Sequence, residues 1–222
     1  MIVAIDGPAA SGKSTVARSL AVRLGFGYLD TGAMYRSIAA EALRLAVPID
    51  DEAALAELAD EAVIEFERES GSPLPTKVIV NGRDATSEIR SPAVDAAVSP
   101  VSAVRGVREA MVRIQRHTAS SGDWVVEGRD IGTVVFPNAS VKIFLTATVD
   151  ERARRRAVDM DRLGHAMEDT DVSERIAARD RYDSTREASP LAAADDALLL
   201  DTTGMTVEQV VDVIAEMVEA ER

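Results

Sequence analysis

Short apolar runs alternate with longer amphipathic stretches along most of the chain. Ile2 to Ile5 is an unbroken apolar run, as expected of a strand buried on both faces. A Gly-rich turn follows. From Lys13 to Leu24, Val16, Leu20 and Leu24 recur at helical spacing and predict a helix with one buried face. A brief extended piece, Tyr28 to Asp30, leads into another helix, and three more apolar runs separate helical stretches: Trp124 to Val126, Val141 to Leu145, and Leu198 to Leu200. Strands that alternate with helices predict an α/β fold, a five-stranded parallel sheet with helices on both faces.

The segment 63–89 breaks this rhythm. Ile64-Glu65-Phe66-Glu67 alternates in polarity, and Val78-Ile79-Val80 runs into Asn81-Gly82, a strong hairpin signal. Ser70 to Pro75, rich in Ser, Gly and Pro, reads as a loop. The segment predicts a small antiparallel insertion in a single-domain chain. Pro100 to Ser121 reads as a helix with Ser99 as its N-cap.

Composition narrows the function classes. With 222 residues the chain can bury one sizeable core. It has no cysteine, which excludes disulfides, thiolate catalysis and Cys-ligated zinc. No apolar run approaches a membrane span, and the N-terminus lacks the basic region of a signal peptide, so a cytoplasmic protein is expected. A net charge of −13 and 4% aromatic residues argue against general affinity for nucleic acid or anionic membranes. His117 and His165 have no partner at metal-ligand spacing, and Trp124 reads as packing.

The strongest chemical signal is Gly7-Pro8-Ala9-Ala10-Ser11-Gly12-Lys13-Ser14, followed by Thr15, which matches the P-loop pattern G-x-x-x-x-G-K-[ST] between a buried strand and an amphipathic helix. Backbone N–H groups and a helix N-terminus at such a loop face a polyphosphate. Lys13, expected to stand exposed, would bridge the β- and γ-phosphates of ATP, and Ser14 would offer its hydroxyl to Mg²⁺. The loop predicts NTP binding; it leaves hydrolase, kinase and regulatory NTP-binding protein open.

Further strings bear on that choice. Asp30-Thr31-Gly32-Ala33-Met34-Tyr35-Arg36 opens a helix, and Glu127-Gly128-Arg129-Asp130 leaves a strand at the carboxyl end of the sheet, where open α/β sheets place ligands. Arg179, Asp183 and Arg186 share one helix face, which alone reads as an exposed ion-pair ladder. Together with the phosphate loop, these strings, the run Glu127 to Pro137, and Arg179 to Arg186 with Ser189-Pro190-Leu191 resemble the bacterial cytidylate kinases. The similarity runs from the first strand to the last helix and includes the hairpin insertion.

The resemblance implies transfer of the γ-phosphoryl of ATP, with Mg²⁺, to CMP and dCMP. It assigns the acceptor phosphate to Arg36, Arg129 and Arg186, with Thr31 and Tyr35 in the same pocket. It assigns the ribose hydroxyls to Arg179 and Asp183, and the cytosine edge to Ser99, Arg108 and Asp130. The chemistry agrees, because cytosine presents an amine donor beside acceptors, and a carboxylate with a guanidinium and a hydroxyl complements it. The same reaction on UMP or another nucleoside monophosphate stays open, and a monomer is the default expectation.

Finally, Arg152, Arg154, Arg155 and Arg156 put four arginines in five positions. Four like charges repel unless an anion sits among them, which points to the ATP γ-phosphate and makes Arg152, Arg155 and Arg156 catalytic candidates beside Lys13. The competing reading is a solvated face paired with Asp159, Asp161 and Glu168. A lid is expected over 157–168, with Gly164 as a hinge.

Overall fold

The computed structural model describes residues 1–162 and 169–222. Five parallel strands form the core sheet: β1 (Ile2–Asp6), β2 (Gly27–Asp30), β6 (Trp124–Glu127), β7 (Val141–Thr146) and β8 (Leu198–Asp201), in the order β2-β6-β1-β7-β8. Their side chains alternate between two faces, and each face has its own apolar core. Val3, Ile5, Tyr28 and Val125 pack on one side against α1 (Lys13–Leu24) and α8 (Val207–Ala220), through Val16, Leu20, Val210, Ile214 and Val218. Ala4, Leu29 and Val126 face the other side, covered by α2 (Thr31–Arg44), α4 (Pro92–Ala103) and α5 (Arg105–Thr118). Leu20 is fully buried in this arrangement, so Leu20→Ala costs about 2–5 kcal/mol through lost transfer energy and a cavity.

The segment after α3 (Glu52–Glu61) forms a three-stranded antiparallel sheet of β3 (Ile64–Arg68), β4 (Pro75–Val80) and β5 (Arg83–Asp84). Asn81 and Gly82 turn β4 into β5 with φ of 50° and 77°, the left-handed pair that a two-residue hairpin requires. Arg68 fastens this sheet to the core by donating to the Tyr28 carbonyl at 3.1 Å. Glu41 on α2 anchors the other end, accepting from Asn81, Arg83 and Arg44.

Two helices, not one, occupy the stretch around Ser99. Two Ser-Pro pairs offer a helix start here, and the chain uses Ser91-Pro92. Ser91 caps α4 by accepting from Val94 N at 3.3 Å, with Pro92 at the first helical position. Ser99 and Pro100 therefore lie inside α4, the expected N-cap is wrong, and the chain breaks only at the extended Val104 before α5. Helices α6 (Val149–Arg162) and α7 (Asp169–Thr185) pack on each other above the sheet, with Ala153, Val172 and Ile176 in their seam against Ala10. The expected lid falls partly on the end of α6. Its remainder, 163–168, with Gly164, His165 and Glu168, lies outside the described residues. No described helix is long and apolar enough to cross a membrane.

Candidate active site

The loop between β1 and α1 has no room for side chains at its entry. Gly7 has φ 149°, and a Cβ there would sit 2.1 Å from the Leu145 carbonyl oxygen. Lys13 is buried, not exposed: its Nζ turns back to the Pro8 carbonyl at 2.6 Å and Ser11 Oγ at 3.3 Å. Burial pushes its ammonium well below the ordinary range, Arg129 and Arg179 push the same way, and Glu127 and Asp6 oppose them. Ser14 stands exposed at the start of α1 and donates to Glu127 Oε2 at 2.8 Å; Thr15 beside it is also exposed. Gly12 completes the turn in the left-handed region, at φ 91°.

Two buried carboxylates line the sheet edge beneath the loop. Asp6 ends β1 and accepts from the backbone N–H groups of Ile131 and Gly132 at 2.8 and 2.7 Å, which holds the π-helical turn Ile131–Val135. Glu127 ends the neighbouring β6 and accepts from Ser14 and the Tyr28 hydroxyl, while its carbonyl accepts from Thr31 at 2.6 Å. Burial raises Asp6 to about 6 against its backbone hydrogen bonds, and burial with Asp30 nearby raises Glu127 to about 7. Hydroxyl and carboxylate oxygens make a hard donor set that suits a divalent cation such as Mg²⁺.

Four arginines from three parts of the chain gather here, and Arg129 and Arg179 stand near enough to Lys13 to depress its ammonium. Arg36 on α2 donates to Asp95 on α4 at 2.5 Å and to the Ile89 carbonyl at 3.2 Å. Arg129, beyond β6, donates to Asp183 on α7 at 3.0 Å. Arg179 on α7 lies 3.8 Å from Asp95, and burial lowers its guanidinium to about 10. Arg186 donates to the Ser189 carbonyl at 2.6 Å and lies 3.9 Å from Asp130. Asp183 is 4% exposed, so the expected surface ladder does not form; this face of α7 turns inward. Among the described residues, Arg179 Nε and Arg186 Nη2 are buried without a hydrogen-bond partner. Buried donors of that kind are costly unless something accepts from them.

A second pocket floor adjoins them. Arg108 on α5 and Asp130 form a buried ion pair, each 3% exposed, with Arg108 also donating to the Ser102 carbonyl at 3.2 Å. The Arg108 guanidinium lies 5.4 Å over the Tyr35 ring. Burial pushes the Tyr35 phenol up to about 12, with Gln115 beside its hydroxyl opposing the shift. Ser99 reaches this cluster through Ser102, whose hydroxyl donates to its carbonyl at 3.0 Å.

The arginine run on α6 is not an unpaired block of charge. Arg152 is buried and donates to Asp180 on α7, to the Ala9 carbonyl at 3.1 Å and to the Ala147 carbonyl. Arg155 donates to Ser11 O at 3.1 Å, to Thr202 and to Glu151. Arg154 points outward onto Glu151, and Arg156 donates to Asp95 at 2.7 Å. The expected repulsion is thus corrected: carboxylates from three elements separate the four cations. Arg152 and Arg155 do reach the phosphate loop, but they hold its carbonyls; Arg156 faces the acceptor arginines.

Every residue read from the sequence as a phosphate-loop or acceptor residue borders one of these two clusters, except Thr15, whose place is the exposed first turn of α1. The carboxylates that organise them, Asp6, Asp95, Glu127 and Asp180, were not read as site residues. For Glu127 and Asp6 a signal existed, since each is an acidic residue closing an apolar strand. Asp95 and Asp180 carry none, because their partners come from distant helices. Asp180 holds Ala9 N at 3.1 Å as well as Arg152.

The family model for cytidylate kinase matches residues 3–220. A cytidylate kinase of Pelotomaculum thermopropionicum is 49% identical over 99% of this chain and 96% of its own length. One of Lactobacillus johnsonii is 48% identical over 99% and 94%. A bifunctional pantoate ligase/cytidylate kinase of Synechococcus matches at 49% identity over 97% of this chain and 44% of its own length. The crystal structure of an uncharacterized protein from Eubacterium ventriosum superposes with a TM-score of 0.52 at 12% identity, over 99% and 98% of the two chains; that likeness concerns the fold alone.

Proposed function

Because the chain belongs to the cytidylate kinase family, we propose that the two facing clusters are its donor and acceptor sites, with CMP taking the γ-phosphoryl of ATP. The observation that supports this most is the set of arginines near Lys13 and the acceptor pocket, two of which carry buried donors without a hydrogen-bond partner among the described residues. An NTP-binding switch has no use for a second cationic pocket, and nothing in the site favours that reading.

The phosphate loop binds ATP through its backbone N–H groups and Lys13, which must swing from Pro8 O to reach phosphate oxygens. Ser14 would hold Mg²⁺, with Glu127 and Asp6 behind it. The cation, when bound, neutralises charge on the β- and γ-phosphates. Arg36, Arg129 and Arg186 hold the acceptor phosphate, beside Thr31 and Tyr35. Arg179 and Asp183 hold the ribose hydroxyls, and Ser99, Arg108 and Asp130 read the cytosine edge. An oxygen of the acceptor phosphate forms the new bond to γ-phosphorus as the bond to the β-phosphate oxygen breaks, leaving ADP. That oxygen is already ionised, so no general base is needed and catalysis rests on positioning and charge. The antiparallel sheet, joined to α2 at Glu41, belongs to the acceptor side. The same reading takes in dCMP as a second acceptor and a monomeric, cytoplasmic enzyme.

Turnover of ATP, measured with CMP, dCMP, UMP and AMP in parallel, tests the proposal. CMP and dCMP should stimulate ATP consumption at least about tenfold over the protein alone, a difference of about 1.4 kcal/mol in barrier. ATP consumption indifferent to every monophosphate would overturn it.

A further inference from the structure

Asp95 is the meeting point of three guanidinium groups from three different helices. It sits in the first turn of α4, half-buried, with a side chain 31% exposed. Its Oδ1 takes Arg36 Nη2 at 2.5 Å, its Oδ2 takes Arg156 Nη2 at 2.7 Å, and Arg179 Nη1 lies 3.8 Å from Oδ1. Burial alone would raise this carboxyl, but Arg36 and Arg156 outweigh it and hold it below the usual carboxylate range.

The three arginines belong to different parts of the site. Arg36 is on α2, and its remaining hydrogen bond is to the Ile89 carbonyl, so Asp95 supplies its only charged partner among the described residues. Arg156 is on α6, the helix that grips the phosphate loop through Arg152 on Ala9 O and Arg155 on Ser11 O. One carboxylate therefore joins the acceptor cluster to the helix that clasps the donor loop. Any ligand that recruits Arg36 loosens its hold on Asp95, and so changes what Asp95 offers Arg156 on α6.

We propose that Asp95 is a positioning residue that couples the two nucleotide sites. The inference rests on the assignment of donor and acceptor clusters above. An acceptor phosphate brings two negative charges to Arg36, which weakens its hold on Asp95 and leaves that carboxylate to Arg156, hydrogen-bonded at 2.7 Å, with Arg179 further off at 3.8 Å. The Asp95–Arg156 bond then tightens, α6 settles on the phosphate loop, and the donor site is better formed. By reciprocity, donor binding strengthens the acceptor site by the same factor.

The test is calorimetric titration of CMP in the absence and presence of a non-hydrolysable ATP analogue with Mg²⁺, the ratio of the two dissociation constants giving the coupling factor. The wild-type protein should show a factor of about 5 or more, the lower end of ordinary site-to-site coupling. Asp95→Asn keeps the shape and removes the charge, and should bring the factor to about 1 while CMP still binds. Arg156→Gln, at the other end of the bridge, should do the same, and the double variant should change nothing further because both remove one link. Arg156→Gln also keeps the test open should Asp95→Asn fold poorly. A wild-type factor of 1, or either single variant retaining the wild-type factor, would overturn the coupling. A wild-type protein that bound no CMP would overturn the site assignment itself, and the coupling with it.

Discussion

Removing the charge of Asp130 while keeping its shape separates base reading from stability. In the folded chain Asp130 is 3% exposed, ion-paired with Arg108 and 3.9 Å from Arg186. If it accepts from the exocyclic amine of cytosine, uracil presents a carbonyl oxygen at the same place and leaves a buried carboxylate mispaired. A mispaired buried polar group costs about 1–3 kcal/mol, more when charged, so UMP should lose roughly tenfold to several hundredfold in kcat/KM. Asp130→Ala would confound this test, because an unpaired Arg108 in the interior costs about 3–5 kcal/mol in stability. Asp130→Asn is the cleaner perturbation. With uracil its NH₂ group donates to the base carbonyl while its oxygen keeps Arg108, whereas accepting from cytosine turns the NH₂ toward the Arg108 guanidinium, so the advantage of cytosine is lost. The ratio of specificity constants for CMP and UMP should then fall toward unity, mostly through loss with CMP. The assay is coupled turnover at saturating ATP, with thermal denaturation of the same samples to verify folding. An unchanged ratio in a folded Asp130→Asn protein would show that the base is read elsewhere.

Lys13→Met should keep the fold, because the buried aliphatic stem is replaced by one of similar length, and should lose activity by more than about a hundredfold, on the order of 3 kcal/mol of barrier. Near-native turnover in purified Lys13→Met would sink the phosphate-loop assignment. Glu41→Gln tests the joint between α2 and the antiparallel sheet. Hydrogen bonds from Arg44, then Asn81 and Arg83, hold the Glu41 carboxyl down to about 2 from 4.5. Its folded pKa is depressed, so its contribution is fully present above about pH 4.5 and is lost as pH falls toward 2. Chemical denaturation across pH should therefore find the variant least stable relative to wild type near neutrality, with the gap closing below pH 4.5; a gap independent of pH would refute it.

The core sheet was legible because a doubly covered parallel sheet needs apolar side chains on both faces of each strand, which leaves unbroken runs such as Ile2 to Ile5. The hairpin was legible because only Asn-Gly-type pairs adopt two left-handed residues cheaply. What stayed hidden is pairing across helices. Ser91-Pro92 and Ser99-Pro100 carry the same local signal, and choosing between them takes the packing of Val94, Val98 and Val101 against α2 and α5. Lys13 was expected outside because lysine generally is; nothing local shows that its ammonium folds back on its own loop. The arginine run looked self-repelling because two of the carboxylates that separate it, Asp95 and Asp180, lie far away along the chain, although Glu151, which pairs Arg154 and Arg155, stands right beside it.

The same pairing explains why a chain of net charge −13 serves anionic nucleotides. Its excess acid is not spread evenly through the site. Asp95, Asp180 and Asp183 each stand on an arginine, so they hold those cations apart and in place without a ligand. Asp6 and Glu127 instead lie beside Lys13, where burial raises both carboxyls and lowers the ammonium, so all three are pushed toward neutrality. On the proposed reading, phosphate oxygens at Lys13 would favour its charged form, and a cation at Ser14 would favour the charged forms of Glu127 and Asp6. Each ligand would thus offset what burial costs its own partners. On that reading the donor site reaches its full field only when nucleotide and cation are both bound, so that the field is in place before transfer begins.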